Sequence, residues 1–197
     1  MKKILATLIA SLSCTSAWAI PIDGGNGHYY DVILAPGIAW EDARIAALSQ
    51  FYVGVQGHLV TISSAAENAF VALAVQSGVS GQAWAGGFQP LGEIDGQANW
   101  TWVNGEGGFA GNNSGPGYTN WNGGEPNDAY GIASEQHLGI GLNTVGGWND
   151  EDNLNNIAGY VVEYDPNTIG SVPDGGATAV LLGLSLTSFG FIRRKLT

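Results

Sequence analysis

Both ends of the chain are apolar and directed at membranes, so any folded body must be made from the residues between about 20 and 173. The N-terminus opens with Lys2 and Lys3, continues with the apolar run Ile4 to Leu12, and reaches the small-x-small pattern Ala17-Trp18-Ala19. That order predicts a secretory signal peptide, residues 1–19, cleaved after Ala19. Its apolar run is too short for a membrane-spanning helix. At the other end, residues 177–192 carry no charge and are followed by Arg193-Arg194-Lys195. With Gly175 and Gly176 this stretch reaches the lower length limit of a transmembrane helix. The cations after it, residues 193–197, are expected to stay cytoplasmic, leaving the bulk of the chain outside.

Immediately before the apolar stretch stands Val172-Pro173-Asp174-Gly175-Gly176. A Val-Pro motif, an apolar helix and an arginine cluster in that order resemble the bacterial sorting signals of the PEP-CTERM and VPDSG-CTERM type. The resemblance implies an exosortase-type sorting enzyme as a partner, and a tail that serves as an address to be removed. Gly175 stands where the name-giving motif has Ser. Residues 166–176 are accordingly read as linker and sorting motif, and residues 20–165 as a single domain, long enough to bury a core.

Between residues 20 and 173 sixteen Asp and Glu face one cation, Arg44. Nucleic acid and anionic lipid are excluded as partners by that balance, and cations are favoured. The only cysteine, Cys14, lies within the signal peptide. The exported region therefore has no disulfide, no thiolate metal site and no thiol nucleophile. Six of the seven Trp lie there instead and supply apolar area.

The pattern along this region is α+β. Residues 28–34 read as a first strand, and residues 39–50 as a helix with Trp40, Ala43, Ala47 and Leu48 near one face. Residues 57–62 read as a turn and short strand. Ser64-Ala65-Ala66-Glu67 is a capping box that opens a second helix, expected to bury Phe70, Leu73 and Ala74 and to stop at Gly78. Residues 82–88, 99–103, 136–142 and 157–164 read as strands. Residues 104–129, dense in Gly, Asn, Pro and Ser, read as one long loop, ordered by Phe109, Tyr118 and Trp121.

The informative chemistry lies between Glu125 and Asp152. Glu125-Pro126-Asn127-Asp128 closes the long loop, Glu135 comes next, and Trp148-Asn149-Asp150-Glu151-Asp152 ends the next connection. These are hard oxygen donors, without the nitrogen or sulfur that favours zinc or copper, and calcium takes six to eight such oxygens. Pro126 could be cis, aiming its neighbours the same way. Read from the residues alone, the clusters fit either a calcium site or turn formers with solvated charge. His28, His58 and His137 are scattered, without the spacing of a zinc motif, and read as structural or surface residues.

The ordered set Gly57-His58-Leu59-Val60-Thr61-Ile62, Ser64, Glu67-Asn68-Ala69-Phe70, Trp84-Ala85-Gly86-Gly87, Glu125-Pro126-Asn127 and Trp148-Asn149-Asp150 resembles the C-type lectin domain. Trp40-Glu41-Asp42-Ala43-Arg44 stands where that family carries its first helix. The resemblance runs from about His28 to Tyr164. It implies a C-type lectin-like fold and a calcium site formed by Glu125, Asn127, Glu135, Asn149 and Asp150. In such lectins the ion binds two neighbouring sugar hydroxyls, which the same side chains hydrogen-bond. Glu-Pro-Asn is similar to the mannose- and glucose-binding form of the loop. His137 and Val162 occupy positions where the family has cysteines, so the fold is expected to be disulfide-free. Trp121 and Tyr118, on the long loop, are the aromatic candidates for sugar contact.

The expected function is therefore an exported, calcium-dependent binding protein for a glycan or exopolysaccharide at the cell surface or in the matrix. Two other classes stay open. One is an adhesin using the same fold on a protein or other surface. The other, a remote one, is a glycosidase with Glu125 and Glu135 as its carboxyl pair, and the chain is expected not to be an enzyme.

Overall fold

The computed structural model describes residues 20–166. The signal peptide, sorting motif, apolar stretch and basic tail expected from the sequence lie outside the described residues. Among the described residues no helix is long and apolar enough to cross a membrane.

The sheet is organised around its last strand. In chain order the strands are β1 (Ile22–Asp23), β2 (Tyr29–Leu34), β3 (Phe51–Tyr52), β4 (Val55–Leu59), β5 (Gln82–Phe88), β6 (Trp100–Trp102), β7 (Gly108–Phe109), β8 (His137–Ile140), β9 (Trp148–Glu151) and β10 (Ile157–Tyr164). Helix α1 (Trp40–Leu48) follows β2, and α2 (Ala65–Gly78) follows β4. All eight residues of β10 are buried, as expected of a strand covered on both faces. It pairs antiparallel with β2, from Gly159 opposite Leu34 to Tyr164 opposite Tyr29, and antiparallel with β4. Its pairing with β5 is parallel. From β5 the sheet continues antiparallel to β6 and β7, and on another path to β8 and β9.

The first helix buries Trp40, Ala43 and Ala47 of the expected face, while Leu48 is only half-buried. The second starts where the capping box places it, with the Ser64 hydroxyl accepting the Glu67 N–H at 3.2 Å. The reciprocal bond differs from the usual box. Glu67 Oε2 accepts the N–H (2.7 Å) and hydroxyl (2.9 Å) of Ser63, and its Oε1 accepts the Tyr30 hydroxyl at 2.7 Å. One carboxylate thus ties the start of α2 to β2. The buried stripe of α2 is Asn68, Val71, Ala72 and Val75, with Ala74 beside it. Leu73, expected inside, is 60% exposed because it projects from the side opposite that stripe. Phe70 is half-buried against Tyr30, with ring centroids 5.2 Å apart. The helix ends at Gly78. A Cβ there would lie 2.8 Å from Val32 Cγ1, so the glycine serves a close approach to β2.

The core has two parts. One gathers Trp100, Trp102, Phe109, Trp121 and Trp148 with Leu138, Ile140, Val71 and Val75. The other gathers Trp40, Trp84, Tyr160, Tyr164 and Val162 with the small residues of α1. The two positions of expected cysteine loss fall beside this second part. Val162 is fully buried in it, and His137 stacks on Trp40 with ring centroids 4.5 Å apart. Packing takes the place of a covalent link there.

The histidines, scattered in sequence, do not all stay apart. His28 Nδ1 lies 2.7 Å from Glu163 Oε1, and His58 Nε2 lies 3.0 Å from Asp165 Oδ2. Both contacts are made at the C-terminal end of β10.

Replacing Glu67 by Ala leaves the buried Tyr30 hydroxyl and the Ser63 N–H without their acceptor. Urea unfolding should show a loss of about 1–3 kcal/mol. Leu73→Ala, at an exposed site, should stay within about 0.5 kcal/mol of the parent protein.

Candidate functional site

The site begins with a strand that sequence patterning hides. Trp148-Asn149-Asp150-Glu151 has three strand-averse residues in four, yet it forms β9, paired with β8 from His137 opposite Glu151 to Ile140 opposite Trp148. The long loop runs alongside. Trp148 N–H donates to Asn120 O and Asn122 N–H donates to Trp148 O, both at 2.9 Å. These bonds bring the end of the loop level with Asn149 and Asp150.

Gly124, at φ 100°, then turns the chain into the Glu125–Pro126 peptide, which is cis. The carboxylate of Asp150 receives the two residues after the proline. It accepts the N–H of Asn127 at 2.9 Å and of Asp128 at 2.8 Å. Asp128 Oδ1 accepts the N–H groups of Ser134 (3.1 Å) and Glu135 (3.2 Å), and Glu135 accepts the N–H of Ala129. Each acidic side chain so fixes the backbone that carries the next.

The result is a recess of about 150 Å³ lined by Glu125, Asn127, Glu135, Asn149 and Glu151, with Tyr130 and Asn156 among its other walls. Four of the five residues named from the sequence face it. The fifth, Asp150, is fully buried beside them, its carboxylate committed to the loop backbone. Trp121 is elsewhere: it is 4% exposed, packs at 4.9 Å from Trp100, and donates its indole N–H to Ala110 O. Tyr118 is half-buried against Trp148 at 5.7 Å. Trp121 orders the loop from within the core and Tyr118 from its margin, and neither lines the recess.

Two residues were not singled out from the sequence. Glu151 is buried, and its Oε2 accepts from Gln82 (2.6 Å), Asn156 (3.0 Å) and Asn149 (3.3 Å). It takes one of the two Asn149 amide hydrogens and so orients the amide oxygen toward another partner. The signal was the two-residue period of a strand, which puts Asn149 and Glu151 on one face once β9 is recognised. Tyr130 is 65% exposed at the wall of the recess, and its hydroxyl accepts from Asn153 at 3.2 Å. In sequence it is one more aromatic in a Gly-rich loop.

The electrostatics are those of crowded carboxylates without a cation. Burial, and then the Asp150 charge, push the Glu125 carboxyl up to about 7. Burial pushes Glu135 up to about 7 as well, with Asp150, Glu151 and Glu125 adding to the rise. Asp150 is itself raised by burial. Arg44 is paired with Glu41 and not with this site. Glu125 Oε2 is buried and has no hydrogen-bond partner among the described residues. A buried carboxylate oxygen without a partner is costly unless a cation or a proton meets it. The donors around it are carboxylate and amide oxygens, a set that fits a hard divalent cation such as calcium.

Residues 171–196 match the family model described as the VPDSG-CTERM motif. Halomucin of Haloquadratum walsbyi is 29% identical over 145 residues, 71% of this chain but 1% of halomucin's length. Among solved structures, the C-type lectin CEL-I from Cucumaria echinata is 27% identical with a TM-score of 0.53, covering 70% of this chain and 90% of that one. The domain has the C-type lectin-like fold. The calcium-free form of a Ca²⁺-dependent type II antifreeze protein shares it at 16% identity and a TM-score of 0.52, over 70% of this chain and 92% of that one.

The lectin-like domain is thus carried by a surface-directed, exported chain. Its structural relatives include lectins and antifreeze proteins.

The carboxyl shifts give the metal-free site a defined pH response. A Glu raised from 4.5 to about 7 on folding contributes stability that is present below 4.5 and lost as pH rises through 7. In EDTA, Glu125→Gln, which stays neutral, should therefore gain stability over the parent protein as pH rises from about 5 to 8. Paired urea midpoints at the two ends measure this. An equal difference at both ends would contradict the assigned shift.

Proposed function

We propose that the chain is a calcium-dependent carbohydrate-binding protein of mannose or glucose preference, acting in adhesion at the cell surface or in the matrix. The observation that carries the proposal is the unpartnered, buried Glu125 Oε2 in a recess walled by carboxylate and amide oxygens. Glu125, Asn127, Glu135, Asn149 and Asp150 would hold the ion. Bound calcium supplies open coordination positions for two neighbouring ring hydroxyls of a sugar, and neutralises the crowded carboxylates. Glu125 and Glu135 then accept hydrogen bonds from those hydroxyls, while Asn127 and Asn149 can donate to them. Asp150 keeps the Glu125–Asn127 turn against β9. Tyr130, exposed beside the recess, offers an apolar face for a sugar ring.

The proposed organisation is a signal peptide over residues 1–19, the lectin-like domain over 20–165, a linker and sorting motif over 166–176, a membrane span over 177–192 and a cytoplasmic basic tail over 193–197. Export delivers the domain to a compartment where calcium is available. An exosortase-type enzyme would read the tail, so that membrane attachment lasts only until the tail is removed. A glycan or exopolysaccharide is the proposed ligand.

A second reading, an adhesin for a non-sugar surface, draws on one observation. The loop aromatics Trp121 and Tyr118 pack into and against the core, leaving Tyr130 as the aromatic side chain at the recess. An antifreeze relative with the same fold agrees with a range of ligands.

Calorimetric titration of the full-length protein with calcium, with and without methyl mannoside, separates these readings. Calcium at about 100 times its Kd should raise the unfolding free energy by about 2.7 kcal/mol. Glu125→Gln and Asn149→Ala should each weaken calcium by about tenfold or more. A melting temperature unchanged by EDTA at neutral pH overturns the calcium site. Calcium binding with no response to mannoside overturns the sugar reading alone and favours the adhesin. The double substitution Glu125→Gln with Asn127→Asp should shift glycan selectivity toward galactose.

A further inference from the structure

The C-terminal end of β10 holds a second group of metal-competent atoms. His28 immediately precedes β2, Glu163 lies on β10 and Asp165 just follows it, so the β2–β10 pairing brings all three to one edge. His28 Nδ1 is 2.7 Å from Glu163 Oε1 and 3.0 Å from Asp165 Oδ1. One ligand atom from each residue lies within 4.8 Å of the other two. A single ring N–H points along one line, yet two buried carboxylate oxygens face this one nitrogen. A metal ion meets all three at once.

The surroundings fix the ligands as a metal site requires. Glu163 Oε2 accepts the N–H (2.8 Å) and hydroxyl (3.0 Å) of Thr61, which leaves Oε1 directed to His28. Asp165 Oδ2 lies 3.0 Å from His58 Nε2, whose other ring nitrogen donates to Leu59 O at 2.8 Å. Outer partners of this kind orient first-contact ligands in metal sites. The two carboxylate side chains are 0% and 2% exposed, and His28 is 26% exposed, so an ion would enter on the histidine side.

We propose that His28, Glu163 and Asp165 bind zinc, with a fourth coordination position left to water. The imidazole nitrogen sets this site apart from the all-oxygen recess and favours zinc over calcium. Zinc here would fasten β2 to β10 at the point where the chain leaves the domain, a role that disulfides cannot fill in this cysteine-free region. The proposal is independent of any sugar binding.

The test is a calorimetric titration of the full-length protein with zinc chloride in saturating calcium, which keeps the recess between Glu125 and Asn149 occupied. One zinc per chain is expected, and cobalt in its place should give the visible absorption of a four-coordinate ion. His28→Gln, at a partly exposed position, should remain folded by circular dichroism and lose more than about 100-fold in zinc affinity. His58→Gln should weaken zinc by about 10–100-fold, and Glu125→Gln should leave it unchanged. Absence of zinc binding in the parent protein overturns the proposal, and so does binding that His28→Gln does not weaken. In either case hydrogen bonds from His28, Thr61 and His58 hold the two carboxylates without a metal.

Discussion

Trp148 is where the helix, the long loop and the site hairpin are joined. Its indole N–H donates to Asn68 on α2 at 2.8 Å, and its ring lies within 6 Å of Trp102, Phe109, Tyr118 and Trp121. Its backbone binds Asn120 and Asn122 of the loop. A Gly-rich segment of this length has little core of its own and a large conformational entropy to lose on ordering. The aromatic side chains around Trp148 supply the apolar burial that offsets this loss. Because Asn149 and Asp150 come directly after it, the same contacts set the positions of the site residues. Binding chemistry here is an extension of core packing by one and two residues.

Charge sets the second condition. The domain crowds carboxylates around a small recess and provides no lysine or arginine to answer them. Such an arrangement raises the folded state in free energy unless protons or a cation enter. It is poor design for a stable empty site and good design for one that responds to its medium. If the proposed cation binds there, ligand readiness and folded stability become one quantity.

The sequence was most legible where local chemistry and burial agree. The Ser64 cap, the strands over residues 82–88 and 157–164, and the buried face of α1 all follow from spacing. Glu125, Asn127, Glu135 and Asn149 could be grouped because a family pattern linked segments that are distant along the chain. Other features were hidden because tertiary contacts decide them. β9 reads as loop, since Asn, Asp and Glu are tolerated there only by their own hydrogen bonds. Leu73 looks like core until the turn of α2 against β2 is known. Trp121 looks like a ligand platform until the loop folds back on Trp100. Tyr130 and Glu151 gained meaning only from their neighbours in space.

The pairing of Tyr29 with Tyr164 has a consequence of a different kind. It brings the entry and exit of the domain to adjoining strands at one pole of the sheet, with β1 added just before the entry. A unit whose two ends meet can be spliced into a longer polypeptide without opening its interior, and can be duplicated or moved between hosts as a cassette. The same closure means that pulling on the tail loads the β2–β10 seam end-on. That load would be shared with β4 and β5, which also pair with β10.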